Sequence, residues 1–144
     1  MTRSMLTAVD TNVLSALWSA EPLAAEMSEA LEKAASDGTL IICAVVYAEL
    51  LAHPKASLDF VVDFLAATDI TIDFPVGEPV WREVAARFSK YAIRRRASRG
   101  GNAKRLVADF IVGAHALTRA DRLLTLDRSR YSRDFPDLEL ITGE

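Results

Sequence analysis

An α/β fold, with a mainly parallel sheet covered by helices on both faces, is what this sequence predicts. Three observations carry the expectation. Short apolar runs of strand length alternate along the whole chain with longer segments whose apolar residues recur at helical spacing. Runs such as Leu40-Ile41-Ile42-Cys43 are continuously apolar, as strands buried on both faces are. No repeat, low-complexity tract or long linker divides the 144 residues, so one domain over 1–144 is expected.

The elements follow in order. Met5 to Val9 reads as a first strand, and Thr11 to Ser19 as a short helix with Pro22 shortly beyond it. Leu23 to Ala35 places Leu23, Met27, Leu31 and Ala34 at helical spacing, and Asp37-Gly38 closes it. Leu40 to Cys43 is a compact strand. Val45 to Leu51 is a helix that ends near His53-Pro54, because a residue before proline avoids the helical region. Leu58 to Ala67 reads as a helix with Leu58, Val61, Val62 and Leu65 on one face. Ile70 to Phe74 alternates apolar and polar residues as far as Pro75 and reads as a strand. A long helix runs from Glu78 to about Arg96 with Val80, Val84, Phe88 and Tyr91 inward, and Ser98 to Asn102 breaks it. Leu106 to Thr118 is a strongly apolar helix, Leu123 to Leu126 a strand, and Leu138 to Ile141 a last short strand.

Composition excludes some classes. A hydrophobic fraction of 51% with 26% charged residues is that of a globular protein. No run approaches the roughly 18 apolar residues of a membrane span, and Asp10 interrupts the N-terminal apolar run early. A cytoplasmic protein without a signal peptide is expected. Cys43, the single cysteine, leaves no internal disulfide and reads as a small buried apolar residue. The net charge of −3 argues against a general polyanion binder, but its distribution is uneven. Arg94, Arg95, Arg96, Arg99, Lys104 and Arg105 lie together with no acid among them, and without these six the rest of the chain would carry −9.

Four acids hold matched places in this pattern. Asp10 and Asp127 each follow a strand-like run, while Glu49 and Asp109 interrupt apolar helical runs. Each has a structural alternative. Asp10, in Asp10-Thr11-Asn12, suits a helix N-cap. Glu49 could face solvent, Asp127 could serve a turn, and Asp109 could pair with Arg105 at i−4. Strand ends and neighbouring helices of an α/β fold converge on one crevice. Four carboxylates there would repel one another, and a hard divalent cation is the ordinary remedy. The pattern therefore points to a metal-dependent enzyme acting on a phosphate ester, with the basic segment bringing the anionic substrate to the metal.

At these residues the chain resembles the PIN-domain ribonucleases, and within them the VapC-type toxins of bacterial toxin–antitoxin pairs. Val9-Asp10-Thr11-Asn12-Val13-Leu14 is similar to the family's opening motif, and Ala48-Glu49-Leu50 to its second. Ala108-Asp109-Phe110-Ile111 with Ala114 resembles the third. Leu124-Thr125-Leu126-Asp127, followed by Tyr131 and Phe135, resembles the last. The resemblance implies a three-layer α/β/α sandwich, a Mg²⁺ or Mn²⁺ site, and endoribonuclease activity leaving a 5′-phosphate and a 3′-hydroxyl. It also implies a VapB-like antitoxin partner and a homodimer. The family's acidic positions carry onto Asp10, Glu49, Asp109 and Asp127. Asp10 and Asp109 would be direct ligands, and Glu49 and Asp127 would bind directly or through water. Thr11 and Thr125 would touch the ligands rather than the metal.

For the basic segment, phosphate contact along an RNA backbone through Arg94, Arg95, Arg96, Arg99 and Lys104 is weighed against a solvated surface. Only Tyr91 lies close enough in sequence to stack a base. His115 and His53 read as structural, and Trp18 and Trp81 as core or interface residues. Two rivals remain. One is a degenerate RNA-binding domain without catalysis. The other is a phosphatase with Asp10 as covalent nucleophile, which is disfavoured because Asn12 stands where its acid/base would be.

Overall fold

The computed structural model describes residues 4–99 and 104–142. Within them, five strands form one sheet in the order β3-β2-β1-β4-β5, and every neighbouring pair is parallel. β1 is Met5–Val9, β2 Gly38–Cys43, β3 Ile70–Asp73, β4 Arg122–Leu124 and β5 Leu140–Ile141. Parallel neighbours need crossovers, and these supply the helices. α1 (Thr11–Trp18) and α2 (Ala24–Asp37) join β1 to β2. α3 (Ala44–Leu50) and α4 (Leu58–Ala67) join β2 to β3, and α5 (Glu78–Ala97) and α6 (Val107–Arg119) lead to β4. α7 (Arg128–Ser132) precedes β5. Crossovers of this kind are right-handed. The chain steps one way from β1 to β3 and then back across to β4, so α1–α4 cover one face and α5–α6 the other. The sheet is buried between two helical layers, as the alternation in the sequence predicts.

The strands are buried for the reason their composition suggests. Leu40, Ile41, Ile42 and Cys43 are all buried, as are Leu123 and Leu124. Phe88, Tyr91, Phe110, Tyr131 and Phe135 form a run of ring contacts that ties α5, α6 and α7 together. β1 and β2 approach so closely at Gly38 that an added Cβ would lie 1.9 Å from the Met5 carbonyl oxygen. Only glycine fits at that point.

Several expectations need correction. Leu58 and Val62 do not share the buried face of α4. They are 56% and 51% exposed, and Val61 and Leu65 alone of the four are buried. Of the two tryptophans read as core or interface residues, Trp18 is buried against Phe60 and Phe64, and Trp81 is 48% exposed on α5 and lies outside the core. β4 stops at Leu124 rather than Leu126, because the Asn12 side chain takes the Leu126 N–H. α7, five residues long, is too short to leave a periodic signature. The expected break over Ser98–Asn102 opens with a turn at Ser98 and Arg99, and its remainder lies outside the described residues. No helix among the described residues is long and apolar enough to cross a membrane.

Candidate active site

The sheet order reverses direction between β1 and β4, and ligand crevices of open α/β sheets form outside the strand C-termini at such a point. Asp10 follows β1 there, and Thr125 to Asp127 follow β4. Asp10 is the N-cap of α1, its Oδ1 accepting the Thr11 N–H at 2.8 Å. Its Oδ2 accepts two hydroxyl hydrogen bonds, from Thr125 at 2.9 Å and from Tyr131 at 2.8 Å. The capping alternative is thus realised, by a carboxylate that also stands at the C-terminal edge of β1. Asp10 is only 3% exposed, and burial pushes its pKa above the ordinary value. The Tyr131 and Thr125 hydroxyls, the Arg130 charge and the Thr11 N–H oppose that rise. Burial beside Asp10 also holds the Tyr131 phenol far above its usual range, so it remains a donor.

Thr125 is a fully used hydroxyl. Its single proton goes to Asp10, and its oxygen accepts from Asn12 Nδ2 at 3.3 Å and from the Asp127 N–H at 3.1 Å. Asn12 Oδ1 accepts the Leu126 N–H at 3.1 Å. This network fastens the end of β4 to the start of α1.

Glu49 is exposed on α3, which begins directly after β2. Its Oε1 accepts from the Thr11 hydroxyl at 2.6 Å. Burial raises its pKa, the charges of Asp10 and Asp109 add to the rise, and Thr11 and Arg130 work against it. So Asp10, Glu49 and Asp109 share one electrostatic field.

Asp109 is not the lone acid in a helix interior that the sequence suggests. It sits in the first turn of α6, where Oδ2 accepts the Leu106 N–H at 3.2 Å, and it is a fifth exposed. Its charged partner is Arg130, Nη1 to Oδ1 at 3.7 Å, and not Arg105, which reaches the Ser129 carbonyl at 3.5 Å. Asp127 is the N-cap of α7, accepting from the Arg130 N–H at 3.1 Å and from the Ser129 hydroxyl at 2.7 Å. Burial would raise its pKa, but these bonds and the charges of Arg130 and Arg105 hold it below the ordinary value. Arg130 Nε also lies 3.3 Å from Asp127 Oδ2.

The donor set is all oxygen and suits a hard cation such as Mg²⁺ or Mn²⁺. Among the described residues, however, no three His, Cys, Asp or Glu side chains are gathered closely enough to form a ready-made cage. A guanidinium stands among the acids: Arg130 pairs with Asp109 and Asp127, and its charge acts on Asp10 and Glu49. In the sequence Tyr131 stands out only as part of the last motif, and nothing there marks Arg130 or Asn12 as partners of the acids. Arg130 is one of three arginines between Asp127 and Asp134, and only the packing of α7 against α6 singles it out.

The basic segment divides. Arg94 makes an ion pair with Asp134, a side chain only 5% exposed, and is committed to the fold. Arg95, Arg96, Arg99 and Lys104 join Arg105, Phe88 and Tyr91 around a groove of about 490 Å³. Tyr91 accepts the Arg105 N–H at 2.5 Å, which fastens one wall to the other. Arg95 Nε has no hydrogen-bond partner among the described residues. The two histidines stand apart from the acids. His53 contacts Ser19 and the Lys55 N–H, and buried His115 bonds Asp73 at 2.9 Å.

Comparison with known proteins gives a consistent pattern. The model of the PIN domain family matches residues 7–135. No curated protein matches the sequence significantly. Solved structures share the fold. The structure of VapBC2 from Rickettsia felis, bound to a DNA fragment from its promoter, superposes with a TM-score of 0.67 at 17% identity, covering 96% of this chain and 98% of that one. VapBC-1 from nontypeable Haemophilus influenzae gives 0.64 at 18% identity, with the same coverage of 96% and 98%. A toxin–antitoxin complex from Klebsiella pneumoniae gives 0.60 at 21% identity, again covering 96% and 98%.

Proposed function

The chain belongs to the PIN domain family, and from that premise we propose that it is a Mg²⁺- or Mn²⁺-dependent endoribonuclease. It would be the toxin of a VapBC-type pair, restrained by a VapB-like antitoxin and acting in the cytoplasm as a homodimer. The observation that carries the catalytic part is Asp10: a buried carboxylate at the switch point, held by three donors and sharing its field with Glu49 and Asp109. The antitoxin partner is supported by the three structural neighbours, which come from VapBC or toxin–antitoxin assemblies.

Asp10, Glu49 and Asp109 would hold the cation, with Asp127 joining them directly or through water. A divalent ion bound there lowers the pKa of its water and screens the charge of a phosphodiester. The chain's own residues do the rest. Thr125 and Tyr131 fix the orientation of Asp10, and Thr11 fixes that of Glu49. Arg95, Arg96, Arg99 and Lys104 would track the RNA backbone. Phe88 and Tyr91 beside them make the groove less purely electrostatic than the sequence alone suggests.

Asp10→Asn separates nuclease from binding module. The expected result is a loss of RNA cleavage of at least roughly a hundredfold in Mg²⁺, with RNA binding retained. Cleavage at the wild-type rate would reject the metal-nuclease reading. RNA binding by a wild type that does not cleave would favour the degenerate domain.

A further inference from the structure

Arg130 is built unlike the other arginines that meet acids in this protein. Arg87 is anchored: Nε bonds Glu83 at 2.8 Å, and both terminal nitrogens bond Asp137 at 2.8 and 2.9 Å. Arg119 holds Asp73 with two bonds of 3.1 and 3.2 Å. Arg130 instead lies 3.3 Å from Asp127 and 3.7 Å from Asp109, looser than either of those pairs. Its side chain is 35% exposed. Yet its charge acts on Asp10, Glu49, Asp109 and Asp127 together. A guanidinium spread loosely over four acids stabilises the crevice as a whole and fixes none of them.

We propose that Arg130 is a built-in counter-ion of the acidic crevice: it offsets the carboxylates in the metal-free protein, yields Asp109 and Asp127 to an incoming divalent cation, and so sets how tightly that cation is held. This rests on the metal site proposed for the same acids. A positive charge already among the acids lowers the affinity for a second one. Removing it leaves only the charge of Arg105, which acts on Asp127, to offset the acids, and cation binding tightens. Arg130 is here a positioning residue, because it acts through the acids.

Calorimetric titration with Mn²⁺ alone tests the idea on wild type, Arg130→Gln and Arg130→Lys. The cap of α7 uses the main-chain N–H of Arg130, so both variants keep it. Arg130→Gln is expected to bind Mn²⁺ about tenfold more tightly than wild type, which is about 1.4 kcal/mol. Arg130→Lys keeps the charge and should stay within about threefold of wild type. In a second measurement that needs no variant, saturating Mg²⁺ should shift the ¹⁵Nε resonance of Arg130 and leave that of Arg87 in place. Equal Mn²⁺ affinity of wild type and Arg130→Gln, or an unmoved Arg130 resonance with Mg²⁺ bound, would overturn the proposal while sparing the metal site. Absence of cation binding in all three proteins would overturn the metal-site reading, and this proposal with it.

Discussion

The Tyr131 hydroxyl donates to Asp10 Oδ2 at 2.8 Å, across 121 residues of sequence, and both side chains are buried. The phenol is one of the three donors that let a carboxylate sit buried at the end of β1. Tyr131→Phe keeps the ring contact with Phe135 and removes only the donor. Hydrogen bonds to charged groups contribute about 1.5–3 kcal/mol, so a loss of that size is expected in urea unfolding of the metal-free protein. Because Asp10 would then be harder to ionise, RNA cleavage should fall most at the acid end of its pH profile. An unchanged unfolding midpoint would show that Thr125 and Thr11 suffice to hold Asp10.

Thr125 supports more than Asp10. Thr125→Val is close in shape but leaves the Asp127 N–H and Asn12 Nδ2 without their acceptor and takes a donor from Asp10. A cost of about 2–4 kcal/mol is expected, since each buried polar group left unpaired costs about 1–3 kcal/mol. Thr125→Ser retains the hydroxyl and should lose about 1 kcal/mol or less, chiefly its methyl packing. Equal destabilisation of the two variants would assign the site to packing rather than hydrogen bonding.

The parallel sheet and the position of Asp10 were legible because local signals agree: Met5 to Val9 is apolar, and Asp10-Thr11-Asn12 is a helix start. What was not legible depends on what lies across a gap. Periodicity groups Leu58 with Val61, but it cannot say that only Val61 and Leu65 are covered. It places Asp109 within an apolar run, yet the helix begins at Val107, so the acid falls in a partly exposed first turn. The ion pair of Arg130 with Asp109 joins residues on two helices, and no spacing rule connects them.

Within the basic segment, the arginines are not equivalent. Replacing Arg95, Arg96, Arg99 and Lys104 with Ala should weaken RNA binding. It should also reduce the slope of log K against log salt by about 0.7 for each phosphate of a single strand that is no longer neutralised. Arg94→Ala should behave differently, because it leaves buried Asp134 without its ion-pair partner. It is expected to lower stability by about 1–3 kcal/mol and to change the salt slope little. Fluorescence anisotropy over a salt series, with thermal melts alongside, reads both. A steep fall in slope for Arg94→Ala would place that residue on the RNA instead.

His115 lies 1% exposed against Asp73, at the end of the sheet edge formed by β3. Burial lowers its pKa below 6.5, although Asp73 pulls the other way. It is therefore neutral at pH 7, its Nε2–H donates to Asp73, and Arg119 supplies the countercharge that holds the Asp73 carboxyl below its ordinary value. The unfolded chain binds a proton at His115 more readily than the native protein does, so stability rises with pH through that interval. Stability is fully present above the unfolded value of 6.5 and is lost as pH falls below it towards the folded pKa. Asp73 adds a second loss of the same sign at lower pH, below its unfolded value of 3.8. His115→Gln cannot take up that proton. Its unfolding free energy should be lower than wild type at about pH 7.5 but flatter between about pH 6.5 and 5, in guanidinium titrations run at each pH. A wild-type slope retained in His115→Gln would trace the acid sensitivity of this interval to other groups.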